Sequence, residues 1–146
     1  MKKFTEEINK YLHEERIGVL AVEMLDGSPH AATVHFSFNE KENIFNFETY
    51  KEYRKAEAIL NKEKVRASFV VGVNEEKMKT LQMDGVVKLL VGEDFKNFEE
   101  NYFTKFPNKL EKYKVGGFVC FSFTPTWWRF TDWTGPNGKV IINSEN

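Results

Sequence analysis

The spacing of apolar residues changes along this chain, and each change marks an element. Phe4, Ile8, Tyr11 and Leu12 recur every three or four positions among charged residues. That period predicts an amphipathic helix over residues 4–15. Residues 18–25 form a mostly apolar run of strand length, followed by the turn signal Asp26-Gly27-Ser28-Pro29. Over residues 30–38 the period drops to two. Ala32, Val34, Phe36 and Phe38 fall on one side, with Ala31, Thr33, His35 and Ser37 on the other. Such a strand turns an apolar face to a core and a small, polar face away from it.

Residues 39–43 predict a polar hairpin loop and residues 44–49 a third strand. A short helix is predicted over 52–62, with Ala56, Ile59 and Leu60 facing inward. Two further strands, 65–73 and 80–91, flank the charged loop 74–79. Phe95, Phe98, Tyr102, Phe103 and Phe106 then lie on one helical stripe. Residues 117–133 read as one long strand, or as two meeting at Thr124-Pro125, because Pro cannot donate to a ladder. Parity there puts Trp127, Arg129, Thr131 and Trp133 on one face, and the core candidates Trp128 and Phe130 on the other. A short strand over 139–142 closes the pattern. The expected fold is mainly β with helices, six or seven antiparallel strands closed into a barrel that hides its edges. No repeat, low-complexity tract or linker divides the chain, so residues 1–146 are expected to form one domain.

Composition narrows the classes of function. The 21 Lys and Arg nearly balance the 22 Asp and Glu, for a net charge of -1. A nucleic-acid binder would show a basic excess, so none is expected as a partner. Aromatics make up 15% of the chain and include 14 Phe, which suits a β-rich core and flat ligands alike. The single cysteine, Cys120, allows no intrachain disulfide and fits a reducing compartment. Lys2-Lys3 leads into Thr5-Glu6-Glu7 instead of an apolar run, so no export signal is read. No apolar stretch approaches the roughly 20 residues of a membrane span. A soluble, cytoplasmic protein without a membrane partner is expected.

Dinucleotide, P-loop and nucleophile-elbow signatures are all missing from the sequence. His30 and His35 lie an odd number of residues apart on one strand, so they point to opposite faces and no metal pair is expected. The segment that carries chemistry is Thr49-Tyr50-Lys51-Glu52-Tyr53-Arg54-Lys55-Ala56. A strand ends there and a helix begins. Helix starts offer free N–H groups and a partial positive charge, both suited to anions. Arg54 can grip phosphate oxygens through two bonds, and Lys55 adds a point charge. Two cations at a helix start oppose its dipole unless an anion joins them. Taken alone, the pair also reads as a solvated surface feature beside Glu52 and Glu57.

The order of the pieces adds weight. The Asp26–Pro29 turn precedes His30-Ala31-Ala32-Thr33-Val34-His35-Phe36. Then come Phe45-Asn46-Phe47-Glu48-Thr49, Tyr53-Arg54-Lys55-Ala56 and Val65-Arg66-Ala67-Ser68, and later Thr80-Leu81-Gln82-Met83-Asp84-Gly85. Over residues 15–133 this succession resembles the pyridoxamine 5'-phosphate oxidase-like FMN-binding split-barrel family, in particular its short members grouped with general stress proteins. The resemblance implies that Arg54 and Lys55 hold the FMN phosphate, with Thr49 beside the flavin and Tyr53 where the family often has Ser. It implies an isoalloxazine ring along His30, Ala31, Ala32 and Thr33, a flavin contact from Gln82, and Trp133 at the site of an opposite chain.

The resemblance further implies a homodimer with two FMN sites at its interface, serving an oxidoreductase with a small-molecule donor and acceptor. His35 and Tyr50 are substrate-side candidates, and no catalytic acid or base is required. The family's longer oxidases end in an R-x-H-D-R-like segment, whereas here Trp133-Thr134-Gly135-Pro136 follows the last long strand. Vitamin B6 oxidation is therefore not the expected activity. Two other readings stay open: a flavin-binding stress sensor or storage protein without turnover, and the same barrel holding haem or a deazaflavin.

Overall fold

The computed structural model describes residues 1–145. Helix α1 (Glu6–Glu14) starts where the Thr5 side chain accepts from the Ile8 N–H at 3.3 Å, and it buries Ile8, Tyr11 and Leu12. Strands β1 (Ile17–Glu23), β2 (Pro29–His35), β3 (Ser37–Asn39) and β4 (Ile44–Tyr50) follow. After α2 (Arg54–Asn61) come β5 (Val65–Val71) and β6 (Lys79–Leu89). Helices α3 (Asp94–Lys105) and α4 (Leu110–Val115) flank a 3-10 turn, Pro107–Lys109. Strand β7 (Phe118–Asp132) and the short β8 (Val140–Asn143) complete the chain.

All eight strands belong to one antiparallel sheet in the order β2-β1-β5-β6-β7-β4-β3, with β8 pairing β7. Its two outermost strands, β2 and β3, are separated in sequence by Phe36 alone. A sheet whose edges are one residue apart must curl on itself, and the result is a half-barrel of the split-barrel type. Phe36 makes the corner: its N–H donates to the Arg16 carbonyl at 3.0 Å while its ring is fully buried. The 30–38 run therefore divides into two strands, which raises the count to eight.

The inner face is aromatic. Phe69 on β5 meets Phe36, Phe45, Phe47 and Phe123 at centroid separations of 5.1 to 5.9 Å, and each such ring removed from water is worth roughly 2–3 kcal/mol. Trp128 and Phe130 join this core as their parity predicted. Proline does not break β7, because the ladder shifts by one residue between Asp84/Trp127 and Gly85/Pro125. Such a bulge is where a strand tolerates Pro. Gly85 is required beside it, since a Cβ there would fall 2.1 Å from the Thr124 carbonyl oxygen.

A second aromatic cluster, with Phe98, Tyr102, Phe103 and Phe106, packs α3 on the outside of β4 and β7 around Leu90 and Cys120. Asn101 pins that helix down. Its Oδ1 accepts from Ser37 Oγ and Asn46 Nδ2 at 2.5 and 2.9 Å, and its Nδ2 donates to the Phe38 carbonyl at 3.1 Å. One inward expectation fails on α2. Leu60 is 46% exposed, while Lys55 is 7% exposed. The helix begins two residues later than its pattern suggests, at Arg54 after the Tyr53 cap, and its inner stripe becomes Lys55, Ala56, Ala58 and Ile59. No helix among the described residues is long and apolar enough to cross a membrane.

Candidate functional site

Strand β4 delivers Thr49 to the approach of α2, and a tight turn through Tyr53 starts the helix. No side chain caps it. The Ala56 N–H is used by the Tyr53 carbonyl at 2.9 Å, which leaves the N–H groups of Arg54 and Lys55 as the open donors of the first turn. Two further groups at this corner are unfinished. Thr49 is buried, and its Oγ1 has no hydrogen-bond partner among the described residues. Lys55 is buried with no carboxylate partner among the described residues; its ammonium lies 4.9 Å from the Tyr53 ring centroid, and burial pushes its pKa down. Arg54 is exposed and lies near Asp26, whose carboxyl is held below its usual range by two bonds from Ser28 and, more weakly, by Arg54. The turn between β1 and β2 and the start of α2 thus share one corner. A buried hydroxyl without a partner and a partly desolvated cation without a counter-ion each cost free energy. An anionic group bound here would satisfy both, and a phosphate fits the donor set.

From that corner β2 runs along the sheet edge, paired among the described residues with β1 alone. Its outer edge keeps free backbone N–H and C=O groups. The structure splits the four ring-side candidates between the two faces: Ala31 and Thr33 are exposed outside, whereas His30 and Ala32 are half-buried on the inner side. The outer row continues across the sheet. Thr33 pairs with Val19, Val19 with Val70, Val70 with Gln82 and Gln82 with Arg129. Gln82 therefore shares the face of Thr33 but lies three strand spacings away, about 14 Å. Its Oε1 accepts from Arg129 Nη2 at 2.8 Å.

The neighbouring row holds Ala31, Ala21, Ser68, Asp84 and Trp127. There a hollow of about 270 Å³ is lined by Ala21, Glu23, Gly27, Pro29, Arg66 and Ser68. Trp133 stands apart, 44% exposed past the end of β7, beside Met78 and Thr80. One chain brings together Thr49, Arg54, Lys55 and the start of β2, and leaves Gln82 and Trp133 at a distance.

A polar cluster went unread in the sequence. Glu48 on β4 has a side chain only 8% exposed, and its Oε1 lies 3.6 Å from Lys109 Nζ. Burial raises its pKa against the pull of Lys109. Lys109 also reaches Tyr102 Oη at 3.2 Å and His35 Nδ1 at 3.0 Å. A charge at position 48 between Phe47 and Thr49 was the available signal. Its partner could not be named, because Lys109 lies far along the chain.

One antiparallel sheet curled on itself at the β2–β3 corner defines the class as a split barrel. The chain belongs to the pyridoxamine 5'-phosphate oxidase family, whose model matches residues 4–132. No curated protein matches it. Among solved structures it is similar to a heme binding protein from Mycobacterium smegmatis, with TM-score 0.74 and 12% identity, covering 99% of this chain and 60% of that one. The heme storage protein HutZ from Vibrio cholerae gives TM-score 0.68 at 18% identity, over 85% and 91% of the two chains. A protein from Clostridium acetobutylicum related to general stress protein 26 gives 0.63 at 16%, over 95% and 93%. This chain thus spans 60% of the mycobacterial protein's length and over 90% of the other two.

Proposed function

We propose that the protein binds FMN, with the phosphate on Arg54, Lys55, Thr49 and the open N–H groups of α2 and the ring along β2. The observation that carries this reading is an uncapped helix start at which Thr49 Oγ1 is buried without a partner among the described residues and the largely buried Lys55 has no carboxylate beside it. The free edge of β2 supports the ring's placement, since backbone groups there can meet a polar ring edge. A bound flavin would supply the hydride and electron chemistry, and the chain's own residues anchor, orient and shield it. The function is then that of a cytoplasmic FMN-dependent oxidoreductase, or of a flavin-holding stress protein if no acceptor turns over.

A homodimer belongs to this reading. The hollow on the outer face is smaller than the roughly 300–1,000 Å³ typical of ligand pockets, and Val19, Val70, Ala21 and Ala31, from its two adjoining rows, are apolar and partly exposed. A second copy laid on this face would deepen the shelf and bring its own Gln82 or Trp133 toward the ring. A haem-holding version is the second reading, favoured by the likeness to the two heme proteins. The deciding experiment soaks purified protein with FMN, desalts it and records the spectrum. Flavin bands retained by wild type and lost by the Arg54→Ala/Lys55→Ala variant are expected. A colourless protein would overturn the flavin reading, and light scattering at a monomer mass would overturn the dimer.

A further inference from the structure

His35 ends the outer row of β2, two residues beyond Thr33, and a partner behind it fixes its ring. Its Nδ1 lies 3.0 Å from Lys109 Nζ, and its ring stands edge-on to Phe106 with centroids 5.2 Å apart. Lys109 is itself held on several sides. Glu48 Oε1 is 3.6 Å away, Tyr102 Oη 3.2 Å, and the Phe106 ring centroid 5.0 Å. An ammonium has three hydrogens and no lone pair, so toward His35 it can only donate. Nδ1 must then be the bare ring nitrogen, and the single proton of the neutral imidazole sits on Nε2. A proton on Nδ1 would set two donors against each other at 3.0 Å. Burial, and then the charges of Lys109, Arg16 and Lys105, also hold the ring below its ordinary pKa and so neutral. Among the described residues Nε2 has no partner.

We propose that His35 is a specificity-determining residue of the β2 face, held by Lys109 as the Nε2–H tautomer so that it offers bound ligands a donor and no lone pair. The proposal rests on the FMN reading and deepens it. A donor at this point suits an acceptor atom on the edge of a flat heteroaromatic ring. It does not suit an iron centre, which takes the lone pair of a neutral imidazole nitrogen. For His35 to ligate iron through Nε2, its proton would have to move to Nδ1 and Lys109 would have to leave. Glu48 serves as a positioning residue in this scheme: buried and ion-paired with Lys109, it keeps that ammonium charged and in place.

Two-bond ¹H–¹⁵N correlation spectra of the ligand-free protein, labelled at histidine, read the tautomer directly. Nε2–H is expected for His35 in wild type, with a mixture of tautomers in Lys109→Met. Titration with FMN is expected to give similar affinities for wild type and His35→Gln, which keeps an N–H donor, and about tenfold weaker binding for His35→Leu. Titration with hemin is expected to give no Soret band that depends on His35. An Nδ1–H signal in wild type would overturn the proposal. Equal FMN affinity in wild type and His35→Leu, or a hemin Soret band lost in His35→Leu, would do the same. Wild type that takes up no FMN would sink the FMN reading and the donor role with it, and the spectrum would still report separately whether Lys109 sets the ring. His35 is exposed, so the His35 variants leave the core intact.

Discussion

Lys105, in the seam between α1 and α3, and Lys55, at the start of α2, are both ammonium groups driven below their ordinary pKa first by burial. Their surroundings differ. Lys105 donates to the carbonyls of Leu12 and Glu15, the open acceptors at the end of α1, and its charge lies 4.5 Å from the Phe36 ring centroid. It completes a helix end. Lys55 touches one aromatic ring and completes nothing, beside a threonine hydroxyl that is equally unused. The same residue type under similar burial is structural in one region and unfinished in the other. The unfinished one points to a ligand.

The largest expected effect breaks the unfinished region. Arg54→Ala/Lys55→Ala should lower FMN affinity by several kcal/mol, about 1.5–3 for each charged hydrogen bond lost, as read by flavin fluorescence titration. Unchanged affinity would remove the phosphate site. Next, Lys105→Met should lose about 2 kcal/mol of stability in urea unfolding and leave FMN binding alone, whereas Lys55→Met should make the ligand-free protein about 1 kcal/mol more stable. Equal losses in both would erase the contrast between the two lysines. Thr49→Val, which replaces only the unused hydroxyl, should make the ligand-free protein about 1 kcal/mol more stable and weaken FMN about fivefold, near 1 kcal/mol.

The smallest effect concerns pH. Lys105 falls to about 8 in the folded protein from an ordinary 10.5, so between those values the unfolded chain carries more protons and stability rises with pH. Burial and Arg16 push it down, and Glu15 pulls it back. The rise should be roughly 1 kcal/mol at most, because the group is partly solvated. Subtracting the pH profile of Lys105→Met isolates it from Tyr11, Tyr102 and Tyr113, whose pKa values burial raises. A flat difference would show that the cost of burying Lys105 does not depend on its charge.

Strands were the legible part of this sequence, because alternation follows directly from one buried face. The β2–β3 corner was not, since the apolar period runs unbroken through Phe36. Helix α4 was missed because Leu110-Glu111-Lys112-Tyr113-Lys114-Val115 carries no clear stripe. The proposed anion-site residues Thr49, Arg54 and Lys55 could be picked out because they lie within seven residues of one another. That Lys55 is buried could not, because a charged letter reads as solvent-facing until the helix start fixes its rotation. Register, which parity alone does not give, placed Gln82 three strands from β2. The Glu48–Lys109–His35 chain joins residues as much as 74 positions apart, beyond the reach of any local pattern.

Strand β7 has a consequence for how the chain assembles. It alone joins β6 to β4; without it the strands fall into two separate sheets, β2-β1-β5-β6 and β4-β3. Because β7 occupies residues 118–132, both pieces are synthesised before the strand that unites them. Non-local pairing of this kind makes folding slow. Until residue 132 has left the ribosome, β4 and β6 each present an unpaired edge above a bed of phenylalanines, and it is in that interval that the chain is most exposed to aggregation.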